Sequence, residues 1–75
     1  MAELTFSGVV KTKTDKYGFI DSAEARAQFG KDVFFGPKAL GDQIYNQMEI
    51  GKYVVVSAEI QEGKPRAVSC IQIDP

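Results

Sequence analysis

The residues in this chain best suited to chemistry are aromatic and cationic, and they cluster. Tyr17, Phe19 and Phe34 lie among Lys11, Lys13, Lys16, Lys31 and Lys38. Unpaired nucleobases stack on aromatic faces with little regard to base identity, for about 1–3 kcal/mol each. Ammonium groups at the rim of such a face hold phosphates and release counterions. Aromatics interleaved with lysines on one surface are therefore what binding of single-stranded nucleic acid requires. Other chemistries lack their residues. With no histidine and one cysteine, Cys70, the chain has no histidine acid–base catalyst, no intramolecular disulfide and none of the usual zinc-ligand sets. Asp21 and Glu24 have the spacing of a helix cap rather than of an acid–base pair. No glycine-rich phosphate loop and no nucleophile motif occurs. The expectation is a binding module rather than an enzyme, with no metal, cofactor or small-molecule substrate.

The elements that must hold these residues are short strands. Leu4 to Lys13 alternates moderately, with Gly8 inviting a bend or bulge. Thr14-Asp15-Lys16 is a polar turn, and Tyr17 to Ile20 is a second strand, so the two form a hairpin. Asp21 to Gly30 favours helix, with Asp21 or Ser22 as cap and Gly30 as stop; it reads as a loop carrying about one helical turn. Phe29 and Gly30 are expected to lie as a lid over one barrel end. Asp32 to Phe35 is a third strand, ended by Gly36-Pro37. Lys38 to Ile50 is a long connection with helical turns near Lys38–Leu40 and Gln43–Gln47. Lys52 to Gln61 is rich in β-branched residues and is the clearest strand. After a turn at 62–65, Arg66 to Ile73 alternates as the fifth, with Cys70 expected to be reduced and inert in the core.

Seventy-five residues, 44% of them apolar and 25% charged, make one small globular domain over 1–75. Five short strands with one long connection predict an all-β, five-stranded antiparallel Greek-key barrel of the OB type, an SH3-like barrel being the rival. Alternation then decides the site. Ile20 is the natural core residue of the second strand, which turns Tyr17 and Phe19 outward. If Val33 and Phe35 fill the core, Phe34 joins them outside. The opposite parity would expose Ile20, Val33 and Phe35 together. Residues 1–40 carry six basic and five acidic groups and residues 41–75 carry three and five. With a net charge of −1, attraction to phosphate must come from the placement of charges rather than from their sum. In the long connection, Ile44 and Met48 are the expected anchors, leaving Tyr45 available to a ligand.

These same segments resemble a known family. Lys16-Tyr17-Gly18-Phe19-Ile20 is similar to the first ribonucleoprotein motif of cold-shock domains, and Asp32-Val33-Phe34-Phe35 to the second. Gly8-Val9-Val10-Lys11 resembles that family's first strand, and Gly51-Lys52-Tyr53-Val54-Val55 the start of its fourth. The pattern lies closest to the repeats of Unr-type proteins. The resemblance implies an OB-fold barrel that binds single-stranded RNA or DNA, with stacking positions at Tyr17, Phe19 and Phe34, a further loop aromatic at Tyr45, and the first-strand lysine at Lys11. Three features depart from it. Thr12 stands where the family has tryptophan, Gly36 and Pro37 where it has histidine and an aromatic, and the first hairpin is two residues shorter, so that Lys13 or Lys16 replaces the turn lysine.

The expected function is RNA ahead of DNA binding, as an RNA chaperone or translational regulator, with micromolar or weaker affinity because about half of the stacking platform is missing. The site comprises Lys11, Lys13, Lys16, Tyr17, Phe19, Phe34, Lys38 and Tyr45. The alternative is a degenerate domain whose aromatic patch docks a protein or a second copy of itself. No apolar run has the roughly 18–20 residues that span a bilayer, and MAELTFSG lacks the pattern of a signal peptide; a cytoplasmic protein with no membrane partner is expected.

Overall fold

A computed structural model of the chain describes residues 3–74; Met1, Ala2 and Pro75, within the expected domain of 1–75, lie outside the described residues. Five strands close into a barrel: β1 (Leu4–Lys13), β2 (Gly18–Asp21), β3 (Val33–Phe35), β4 (Tyr53–Gln61) and β5 (Lys64–Ile73). Their order around the barrel is β1-β2-β3-β5-β4, an all-β, OB-like arrangement. It is not wholly antiparallel. β3 runs parallel to β5, with Phe34 beside Arg66, while the other pairings are antiparallel. A three-residue β3 followed by a long connection approaches β5 from the opposite end, which a strand count does not reveal. No helix among the described residues is long and apolar enough to cross a membrane.

β1 is long because it serves two neighbours. Leu4 to Val9 pairs with β4, and Val9 to Lys13 pairs with β2. The strand folds across the barrel at Gly8, where a Cβ would lie 2.2 Å from the Asp21 carbonyl oxygen; only glycine lets the two backbones approach this closely. Two residues on, Val10 pairs with Ile20 and Thr12 with Phe19, so Lys11 is the extra residue of a β-bulge. A bulge re-aims the side chains around it. Val10 stays buried, Lys11 and Thr12 both face solvent, and Lys13 turns partly inward.

Phe6, Val10, Ile20, Val33, Phe35, Met48, Val54 and Val56 are fully buried, each large side chain contributing about 1.5–3 kcal/mol of transfer free energy. Alternation therefore puts Ile20, Val33 and Phe35 inside, as the sequence predicts. Two short helices cap one end of the barrel, α2 (Pro37–Leu40) and α3 (Asp42–Gln47). They are numbered after α1 (Ala23–Phe29), which is longer than the single turn expected of this segment. Ser22 starts α1 with its Oγ accepting from the Ala25 N–H, and Gly30 ends it at φ 70°. Phe29 lies edge-on to Phe6, with ring centroids 6.3 Å apart, so α1 is the expected lid. In β5 the alternation breaks at Val68 and Ile71, the extra residues of two bulges. Ile71 is 61% exposed as a result. Cys70 is only half-buried, and burial pushes its thiol pKa up, partly opposed by a hydrogen bond with the Gln72 backbone.

Candidate nucleic-acid interface

Strand registry builds an outward row across four strands. Thr12 of β1 faces Phe19 of β2, Phe19 faces Phe34 of β3, and Phe34 faces Arg66 of β5. Tyr17, at the entry to β2, completes an aromatic triangle. Its ring lies 5.8 Å from Phe19 and 6.0 Å from Phe34, and Phe19 lies 5.8 Å from Phe34. Tyr17 is 43% exposed, while Phe19 and Phe34 are half-buried, largely by one another. Gly18, between Tyr17 and Phe19, points inward. A Cβ there would meet the Phe35 ring at 2.5 Å and the Thr12 carbonyl oxygen at 2.6 Å. The glycine thus lets Phe35 enter the core while its neighbours stay outside. Thr14 fixes the turn, its hydroxyl donating to the Tyr17 carbonyl and accepting from the Lys16 and Tyr17 N–H groups.

Cations border this triangle on two sides. A groove of about 1150 Å³ runs along Phe19 and Phe34 between α1 and the β4–β5 turn, bordered by Lys11, Arg26, Lys31, Lys64 and Arg66 with Asp21, Asp32 and Glu62 between them. Lys16 and Lys38 line a smaller hollow on the other flank of Phe34. Arg66 belongs to both, its guanidinium carbon 5.0 Å from the Phe34 ring centroid. That is within cation–π range.

Part of the groove's positive charge is already paired. Lys11 Nζ donates to Asp32 at 3.1 Å, and Arg26 bridges Asp21 and Asp32. Burial alone would raise the Asp32 carboxyl, but hydrogen bonds from Arg26 and Lys11 outweigh it and hold the group below its ordinary range. The same contacts hold the Arg26 guanidinium above its usual value, the Asp32 hydrogen bond contributing most. Asp21 and Glu24 have separate partners. Asp21 binds Arg26, and Glu24 accepts from the Ser7 N–H and hydroxyl, which keep its carboxyl pKa low.

Of the expected site residues, Tyr17, Phe19 and Phe34 share one surface, Lys11 lies at the groove, and Lys16 and Lys38 lie at the hollow. Two are elsewhere. Tyr45 is 4% exposed; it packs 5.5 Å from Phe35, and its hydroxyl donates to the Thr14 carbonyl. Its pKa is raised, mainly by burial. Packing of α3 onto the barrel end buries Tyr45, which anchors the loop alongside Met48 instead of remaining available. Lys13 follows it. The bulge at Lys11 swings Lys13 away from the rim, and its ammonium donates to the Tyr45 carbonyl at 2.7 Å and sits 4.7 Å over the Tyr45 ring. Arg66 is the residue that sequence reading missed. The parallel β3–β5 pairing that brings it to Phe34 leaves no local signal, although its outward parity in β5 is readable.

Among the described residues no cluster of carboxylates and thiol is arranged to hold a metal ion. What the surface offers is three outward-facing rings, one exposed and two half-buried, flanked by cations from β1, the first turn, α1, α2 and β5. The chain matches no family model, and no curated protein is significantly similar to it.

Proposed function

We propose that the protein binds single-stranded nucleic acid, RNA ahead of DNA, as a cold-shock-type module whose bases stack on Tyr17, Phe19 and Phe34. The observation that carries the reading is the mutual packing of three outward rings on adjacent strands, with a guanidinium over one of them and a basic groove alongside. A small barrel gains nothing in core stability from leaving such rings at the surface. Lys11, Lys16, Lys38 and Arg66 lie where the phosphates of a strand crossing those rings would pass. Affinity is micromolar or weaker, because the row ends at Thr12 and no ring extends it beyond Phe19. Binding to the unstacked state would melt weak RNA structure by mass action, which is the basis for a chaperone or translational-control role.

The test is titration with an oligopyrimidine, followed by tyrosine fluorescence. Stacking on Tyr17 quenches the emission, and the Tyr17→Ala, Phe19→Ala double variant loses the binding while retaining its far-ultraviolet spectrum. An unquenched wild-type protein that instead self-associates, and becomes monomeric in the double variant, would assign the patch to protein docking.

A further inference from the structure

A buried tyrosine must find a partner for its hydroxyl. Packing alone does not call for one at position 45, because phenylalanine would fill the same space beside Phe35, whose ring centroid lies 5.5 Å away. The Tyr45 hydroxyl donates to the Thr14 carbonyl, in the turn between β1 and β2. A second bond runs the other way. Lys13, the residue before Thr14, sends its ammonium to the Tyr45 carbonyl at 2.7 Å and holds it 4.7 Å over the Tyr45 ring. A side chain of each segment thus grips the backbone of the other, and α3 and the turn are joined by two crossed hydrogen bonds.

Thr14 carries this constraint on to Tyr17. Its N–H donates to the Tyr17 carbonyl at 2.7 Å, and its hydroxyl donates to the same carbonyl at 3.1 Å and accepts from the Tyr17 N–H at 3.2 Å. The peptide groups on both sides of the Tyr17 Cα are therefore tied to Thr14. The Tyr17 ring lies 6.0 Å from Phe34 and 21° from parallel to it. Phe34 and Phe35 are consecutive in β3 and point to opposite sides, the first meeting Tyr17 and the second Tyr45. The turn links a ring packed inside the barrel to a ring packed on its surface.

Tyr17 needs such a tie more than its neighbours do. Phe19 and Phe34 sit within paired strands, whereas Tyr17 precedes the first paired residue of β2. It is also the most exposed ring of the triangle. A side chain that must be ordered when the ligand arrives loses affinity to that ordering. On the single-strand reading, we infer that Tyr45 is a positioning residue: its hydroxyl fixes the Thr14 carbonyl and so holds the Tyr17 ring in the attitude that receives a base, without touching the ligand itself.

The experiment is a double-mutant cycle of Tyr45→Phe and Tyr17→Ala, read by fluorescence anisotropy with labelled oligouridylate at low salt and by thermal midpoints. Tyr45→Phe keeps the packing against Phe35 and removes the hydrogen bond. It is expected to weaken binding about two- to fivefold when Tyr17 is present and to leave affinity unchanged when Tyr17 is alanine, while any loss in midpoint appears in both backgrounds. An equal loss of affinity in both backgrounds would overturn the inference, because the hydroxyl would then act by a route other than Tyr17. Wild-type affinity in Tyr45→Phe would overturn it as well. Amide spectra of the ligand-free proteins read the same contact without an oligonucleotide. Tyr45→Phe is expected to shift the Lys16 and Tyr17 amides and to leave Ala25 of α1 in place; silence at Lys16 and Tyr17 would overturn the inference. Failure of the wild type to bind would overturn the single-strand reading, and the amides of the turn would still decide whether the hydroxyl holds Tyr17.

Discussion

Asp32 determines how much of the basic groove is open to a phosphate. Its carboxylate accepts from Lys11 and from Arg26, each at 3.1 Å, so a phosphate approaching Lys11 must displace it. Asp32→Asn keeps the shape, removes the competing charge and lets Lys11 turn outward. Affinity for an oligopyrimidine at low salt should rise about two- to fivefold, the scale of one partly exposed charge pair, with under about 1 kcal/mol lost from stability. Weaker binding by Asp32→Asn would show that the carboxylate positions Lys11 for the ligand rather than competing for it. The same group predicts an acid response. Asp32 and Glu24 have lowered carboxyl pKa values in the folded protein. Their contribution to stability is therefore complete above the ordinary carboxylate range, near pH 4, and is lost as pH falls through the lower folded values. Thermal midpoints measured from pH 6 to pH 2 should fall along that limb, and the Asp32→Asn, Glu24→Gln double variant should fall less steeply.

At the scale of elements, the site depends on which strands keep strict alternation. β2 and β3 are short and unbulged, so parity read from Ile20, Val33 and Phe35 puts Tyr17, Phe19 and Phe34 on the surface without further information. β1 and β5 carry bulges at Lys11, Val68 and Ile71, and there alternation fails: Lys13 leaves the rim and Ile71 faces water. A bulge is set by how two strands twist against each other, which neither strand's sequence specifies alone. Tyr45 departs from the sequence expectation for a related reason. One exposed and one buried aromatic look alike in a loop until the loop's attachment to the barrel is known. Two substitutions test these assignments. Gly18→Ala forces a methyl against Phe35 and the Thr12 carbonyl, with overpacking of about 1–3 kcal/mol or more; a lowered urea midpoint is expected, and an unchanged one would mean that the β1–β2 approach is looser than the 2.5 Å and 2.6 Å separations imply. Thr12→Trp places an indole on an exposed position directly across from Phe19 and extends the row by one ring. Affinity for an oligopyrimidine should rise about tenfold, and no gain would mean that the strand does not cross β1.

For the molecule as a whole, the proposed function requires that a protein of net charge −1 attract a polyanion. The cations near the triangle come from distant parts of the chain, Lys11 and Lys16 from the first hairpin, Lys38 from α2 and Arg66 from β5, and only closure of the barrel brings them to one side. The closed barrel itself was readable from five short strands and one long connection. The parallel β3–β5 contact, and with it Arg66, was not, because it joins segments about thirty residues apart through no local pattern. Local attraction on a near-neutral molecule makes a quantitative prediction. Three or four phosphates held by these side chains give a log affinity against log salt slope of about −2 to −3 for single strands. Arg66→Ala should make the slope shallower by about 0.7 and also remove the cation from the Phe34 face, lowering affinity further at every salt concentration. Extrapolation to 1 M salt isolates the stacking term, which should fall in the single Tyr17→Ala variant while its slope stays near that of the wild type. A wild-type slope near zero would mean that the cations at the groove and hollow take no part. A slope that collapses with the rings removed would mean that the aromatic surface positions the strand before any phosphate is held.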